Sequence, residues 1–197
     1  MPFLTPRLAA LALTTLSLSA CAALINKESP ELPPGADALM RAHADIVGPG
    51  LTGRAYFTEF QMGTIHGVHV RIRVQGDPTI LTPGKHGVHL HATGDCSATG
   101  FTSAGGHFDP GPAGNPDPDA NHPFHMGDLP NLDVDSQGYG NVDALTTRVT
   151  LTDGPLTLFD LDGSAVIIHK NPDQGITGAP KSGVSGGPRL ACGVIVK

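Results

Sequence analysis

Basic side chains are scarce in this 197-residue chain: twelve Lys and Arg stand against eighteen Asp and Glu, for a formal net charge of −6. Such a chain lacks the basic face that nucleic acid or an anionic membrane surface would require, so neither is a general partner. An anionic substrate would need a local exception to that charge. The body of the chain also lacks a sustained apolar stripe at helical spacing and any internal repeat. It has no phosphate-binding loop and no paired-thiol redox motif. What it has instead is 26 Gly and 18 Pro, with Val, Ile, Leu and Phe in short runs between them, which favours strands joined by long irregular loops.

Residues 1–20 carry one early positive charge, Arg7, then an apolar run and a small-residue exit. This is the pattern of an export signal, too short to be a spanning helix. Leu18-Ser19-Ala20-Cys21 resembles the bacterial lipoprotein cleavage box. That reading puts a lipid on Cys21 and anchors an exported protein, periplasmic or cell-surface, to a bacterial membrane through that lipid alone; the competing reading is an ordinary signal peptide followed by a stray cysteine. Residues 21–50 contain Pro30, Pro33, Pro34, Gly35, Pro49 and Gly50 and read as a flexible tether, with His43 solvated in it. The domain is then residues 51–197, about 150 residues and enough for one core. With Cys21 set aside, Cys96 and Cys192 remain, and an exported pair most simply forms one disulfide. Closing so long a loop stabilises by roughly 4 to 5 kcal/mol on the chain-entropy account. Two buried free thiols are the alternative.

Period-two alternation predicts strands over residues 54–60 and 67–74, with Val68, Val70, Ile72 and Val74 inward and His69 on the solvent face. Further strands are predicted over residues 86–91, 132–134, 141–145, 148–151, 156–161, 165–169 and 191–196, with a hairpin turn at residues 135–140. Residues 94–129 and 171–188 form two long loops without period, and loops of that length inside a compact domain are usually functional. The fold class expected is all-β: an eight-stranded antiparallel Greek-key barrel or sandwich, immunoglobulin-like, with two long functional loops.

His89 and His91 stand two apart on one of these strands, so both imidazoles leave the same face while Val88 and Leu90 point into the core. His86 falls on the apolar face and is expected to be a buried, hydrogen-bonded histidine; His66 is given no role. His89, His91, His107 and His169 form a thiolate-free set suited to copper that changes oxidation state. His107, His122, His125 and Asp128 suit zinc, which accepts nitrogen and carboxylate oxygen in a closed tetrahedron. His107 serves both sets, one ring nitrogen for each ion. Arg189 is expected to meet a small anion beside the copper, and Lys181 to add positive potential in the preceding loop.

His86-Gly87-Val88-His89-Leu90-His91, Gly105-Gly106-His107-Phe108-Asp109-Pro110, His125-Met126-Gly127-Asp128-Leu129, Val166-Ile167-Ile168-His169-Lys170 and Pro188-Arg189-Leu190-Ala191-Cys192-Gly193 occur in this order. In these stretches the chain resembles the bacterial secreted copper/zinc superoxide dismutases. The resemblance implies dismutation of superoxide to dioxygen and hydrogen peroxide by copper cycling, with His107 exchanging copper for a proton and zinc orienting His107. It also implies that Asp173 braces ligands of both metals, the alternative being a solvated loop acid. In one respect the chain departs from the family, whose second zinc histidine would fall here at Asn115 or Pro116. His122 must substitute; otherwise zinc has three ligands, binds weakly or is absent.

Two other readings compete with this one. Gly183-Val184-Ser185-Gly186-Gly187 matches the Gly-x-Ser-x-Gly string of serine hydrolases, but it lies in a Gly and Pro loop without the strand and helix that motif needs. A non-catalytic copper-binding or metal-buffering lipoprotein on the same fold is the rival from another class, and loss of a copper histidine or of Arg189 would have favoured it. A homodimer is compatible with the sequence.

Overall fold

The computed structural model describes residues 31–111, 117–120 and 122–197. The export signal and Cys21 lie outside the described residues.

Three long strands follow one another, β1 (Asp37–Gly48), β2 (Leu51–Met62) and β3 (Ile65–Gly76). Tight two-residue turns join them: Gly48 pairs with Leu51 and Met62 with Ile65, and Gly50 and Gly63 supply the positive φ such turns require. Val68, Val70, Ile72 and Val74 of β3 are fully buried, on the inward face that alternation predicts. Beyond β3 the sheet continues through β7 (Tyr139–Thr146), β6 (Leu132–Val134) and β4 (Gly84–His86). Beyond β1 it continues through β9 (Arg189–Val194), β8 (Ala165–His169) and β5 (Val88–His91).

The two outermost strands, β4 and β5, are separated in sequence by Gly87 alone. They are one interrupted segment, and the sheet therefore curls into a nearly closed antiparallel barrel around a single core. The all-β expectation holds, with nine strands instead of eight. The tally changes at several places: β1 is gained, residues 148–151 and 156–161 are lost, and the strand predicted at 86–91 breaks in two at Gly87, whose N–H donates to Asn171 O (2.8 Å) and whose carbonyl accepts from His169 N (2.8 Å). His86 pairs to one side with Leu132, and Val88 to the other with Ile168.

Several expectations need correction. The tether predicted to reach Gly50 does not hold over Asp37–Gly48, which is β1 and supplies Ala42, Ala44 and Ile46 to the core; His43 pairs there with Val196. Residues 148–151 and 156–161 are not strands and share only the Thr150–Thr157 bridge. The last strand runs Arg189–Val194 rather than 191–196. His69 lies on the outer face, as alternation predicts, but is not itself solvated: it is 8% exposed, pairs with Asp143, and shares a surface hollow with residues 31–34. His86 is buried as expected, its ring bonded to the carbonyls of His169 and Thr82.

Cys96 and Cys192 form a disulfide with Cα atoms 5.8 Å apart. It ties the long loop after β5 to β9, above a small apolar cluster of Ala104, Ala165 and Ile167.

Candidate metal centre

β5 delivers His89 and His91 from one face, and the returning loop docks beside them: Phe108 N donates to Leu90 O (2.8 Å), and His107 bridges to His91. His169 closes β8, whose Ile168 pairs with Val88 of β5. One nitrogen from each of His89, His91, His107 and His169 lies within 4.8 Å of the others, and all four residues are buried. His89 and His107 stack with ring centroids 4.0 Å apart.

Hydrogen bonding leaves each of these rings with one committed nitrogen and one bare one. His91 donates from Nδ1 to Gly105 O (3.0 Å), His169 from Nδ1 to Gly187 O (2.9 Å), and His89 from Nε2 to Asp173 Oδ2 (3.0 Å). His107 Nδ1 lies 2.7 Å from Asp128 Oδ1. The remaining atoms, His89 Nδ1 and Nε2 of His91, His107 and His169, are buried without any partner. An unsatisfied buried polar atom costs about 1–3 kcal/mol, and four at one point are intelligible as a cation site. A copper ion fits this all-imidazole donor set. Burial holds His91 and His169 well below their ordinary range, aided for His91 by His107 and for His169 by His89. Burial, and after it His89, push His107 down to about 3. Neutral imidazole is the ligating form.

The second set shares His107. Donor atoms of His107, His122, His125 and Asp128 also fall within 4.8 Å of one another. Asp128 Oδ2 lies 3.3 Å from His122 Nδ1 and 3.4 Å from His125 Nδ1, and accepts the His125 backbone N–H at 3.0 Å. His122 Nδ1 and both ring nitrogens of His125 lack a hydrogen bond. Three nitrogens and a carboxylate oxygen fit zinc. Burial alone would raise Asp128, but hydrogen bonds from His107, His122 and His125 hold it well below the usual carboxylate range. Burial works against a charged His122, yet Asp128 and Asp173 outweigh it and raise it to about 9. His122 thus stands within reach of His107, His125 and Asp128.

Asp173 joins the two sets, accepting from His89 Nε2 at 3.0 Å and His122 Nε2 at 2.6 Å. Those bonds keep it well below its ordinary pKa although burial opposes them. Its backbone is gripped by Asn131, which donates to Asp173 O (2.9 Å) and accepts from Asp173 N (2.8 Å). Arg189 donates to Phe101 O (2.5 Å) and Gly105 O (2.6 Å). Gly105 O therefore holds both the guanidinium and His91. Lys181 is exposed, at φ 60.

Sequence reasoning missed three supporting residues. Arg148 donates to the carbonyls of Pro123 and His125, both 3.2 Å, and so grips the loop carrying the zinc-set histidines. Asn131 gave no signal, being a lone amide after a proline. Asp119, 3% exposed, accepts from Gly183 N, Ser185 N and the Ser185 hydroxyl; it sits in an aperiodic Pro and Asp run. The same bond commits the Ser185 hydroxyl to a carboxylate and removes the hydrolase reading.

Residues 51–195 match the family described as Copper/zinc superoxide dismutase (SODC). The chain is 38% identical over 135 residues to the Cu-Zn superoxide dismutase of Caulobacter vibrioides, covering 66% of this chain and 72% of the relative. It is 36% identical over 154 residues to that of Legionella pneumophila, covering 75% and 79%. Against the extracellular Cu-Zn superoxide dismutase of Drosophila melanogaster it is 34% identical over 190 residues, covering 91% and 95%. Among solved structures, the clock protein EA4 aligns with a TM-score of 0.62 at 31% identity, covering 79% of this chain and 92% of that one. A SOD-like protein from Bacillus subtilis aligns with a TM-score of 0.59 at 28% identity, covering 78% and 97%.

Proposed function

The chain belongs to the copper/zinc superoxide dismutase family and converts superoxide to dioxygen and hydrogen peroxide with copper and zinc as its metals, and from that premise we propose how its residues divide the work. His89, His91, His107 and His169 hold copper; His107, His122, His125 and Asp128 hold zinc. The observation that carries this reading is the set of four bare, buried imidazole nitrogens gathered at one point. Copper supplies the one-electron couple that oxidises one superoxide and reduces the next, while zinc supplies a fixed charge.

Arg189 draws superoxide in and orients it, its guanidinium held rigid by two carbonyls so that little ordering is left when the anion arrives. Lys181 adds positive potential at the rim of an otherwise acidic protein. With copper held there, His107 would take a proton from solvent at Nε2 in the reducing half and give it to the peroxide in the oxidising half, solvent supplying the second proton. Asp173 braces His89 and His122, fixing both rings from behind.

The test is metal content. His122→Ala is expected to lose zinc and keep copper; unchanged zinc in that variant refutes the zinc assignment. His169→Ala is expected to lose copper, and full copper retention refutes the copper assignment.

At the N-terminus, residues 1–20 act as export signal and Cys21 carries the lipid, a reading supported by the Leu-Ser-Ala-Cys box. Detergent-phase partitioning of the mature protein, lost in Cys21→Ser, checks it. The protein is exported and lipid-anchored on this reading. A homodimer is its proposed assembly, supported by Leu145, 60% exposed beside Pro123, Leu129 and Pro130; sedimentation of the mature protein as a monomer would reject it.

A further inference from the structure

Asp119 lies three residues before His122, on the zinc side, yet its carboxylate is spent on a different loop. Oδ2 accepts from Gly183 N at 2.7 Å, and Oδ1 accepts from Ser185 N at 3.0 Å and the Ser185 hydroxyl at 2.7 Å. The backbone around it is joined to the same loop: Gly178 N donates to Asp119 O (2.9 Å) and the Thr177 hydroxyl to His122 O (2.6 Å).

The turn that Asp119 captures stands directly behind the copper-set histidines. Gly187 O accepts from His169 Nδ1 at 2.9 Å, and Gly186 O accepts from Asn171 N at 3.0 Å. A Cβ on Gly186 would come within 2.7 Å of His169 Cβ, and one on Gly87 would meet both Ser185 O (3.2 Å) and the His89 ring (3.3 Å). The turn has no space to shift without moving those rings. A buried carboxylate accepting three hydrogen bonds is a stiff joint, since each bond to a charged group is worth about 1.5–3 kcal/mol.

We infer that Asp119 is a positioning residue that transmits the placement of the His122 segment to the turn at residues 183–187, and through it fixes the ring of His169. Asp173 reaches the same turn by another route, its backbone pairing with Ser185 and Gln174 N donating to Val184 O (2.9 Å), so loss of the zinc effect in Asp119→Ala is what assigns the coupling to Asp119; the inference rests on the reading of His122 as a zinc ligand.

The experiment uses full-length mature protein loaded with copper, with and without zinc. The amide of Asn171 is read by hydrogen exchange, because its partner is Gly186 O and not Asp119. In the wild type, zinc is expected to slow that amide at least tenfold. In Asp119→Ala it exchanges fast whether or not zinc is present, and the Cu(II) EPR spectrum of the variant differs from wild type because the His169 ring loses its fixed orientation. Protection of the β2–β3 amides, unchanged, certifies the fold. Ser185→Ala, which removes one of the three bonds, is the milder variant and reduces the zinc effect to about threefold. A wild-type Asn171 amide indifferent to zinc overturns the inference, as does a full zinc effect in either variant or an unaltered EPR spectrum in Asp119→Ala. Zinc content of His122→Ala separates the two failures: zinc retained there sinks the ligand reading and this inference with it, while zinc lost there with no response at Asn171 sinks this inference alone.

Discussion

Burial keeps His91, His107 and His169 neutral, with His107 pushed to about 3, and this makes the metal-free protein sensitive to acid. For a histidine with a depressed folded pKa, the unfolded chain binds more protons below its ordinary 6.5, so the stabilising contribution is complete above 6.5 and declines as pH falls toward the folded value. For His107, between pH 6.5 and 5, the loss is about 2 kcal/mol, and His91 and His169 act in the same direction. The urea midpoint of metal-free protein is expected to fall steeply over that interval, and a flat profile would contradict the assigned burial. His122, raised to about 9, acts with the opposite sign in a separate window, from 6.5 upward. Arg189 makes a second residue-level prediction: Arg189→Ala keeps full copper but loses tenfold or more of the dismutation rate, together with most of its ionic-strength dependence, measured by stopped flow. At this scale the sequence was informative where chemistry and period coincide. His89 and His91 announce themselves because alternate strand residues share a face. Asp119, Asn131 and Arg148 do not, because they act through backbone groups of distant loops that no local pattern encodes.

Among the elements, β2 carries a feature that its alternation could have disclosed. Glu59 falls on the inward parity of Ala55 and Phe57 and is fully buried. Its carboxylate accepts from Leu151 N (3.0 Å), Thr152 N (2.7 Å), the Thr152 hydroxyl (2.9 Å) and His66 Nε2 (2.7 Å). It pins the loop after β7, where the sequence pattern suggested strands; apolar residues such as Val149, Leu151 and Leu158 are buried there without pairing. Glu59→Gln sets an amide N–H against one of those donors and is expected to cost about 1–3 kcal/mol in chemical denaturation while leaving copper and zinc contents unchanged. β1 was hidden for another reason. Its inward residues include Ala42 and Ala44, too small to register as a hydrophobic alternation, and prolines and glycines flank it. Gly87 hid the break between β4 and β5, since a strand that changes partners looks continuous in sequence.

On the scale of the whole molecule, the Cys96–Cys192 bond spans a sequence separation of 96 residues and joins the loop that supplies Phe101 O and Gly105 O to the strand that carries Arg189. Cys96→Ser with Cys192→Ser is expected to lower stability by about 4 to 5 kcal/mol by the loop-entropy argument, read from equilibrium denaturation. The same double variant frees the carbonyls that hold the guanidinium, so its activity should fall further than its metal content; equal losses of both would argue against that link. The closure of the barrel carries a last consequence. Its two ends meet in a segment broken at Gly87, and His89 and His91 project from one half of that segment while His169 reaches in from the neighbouring strand. An ion gripped by all three would tie β5, one of the two outermost strands, to β8 beside it, so the atom that handles electrons would also clamp a raw sheet edge to its neighbour.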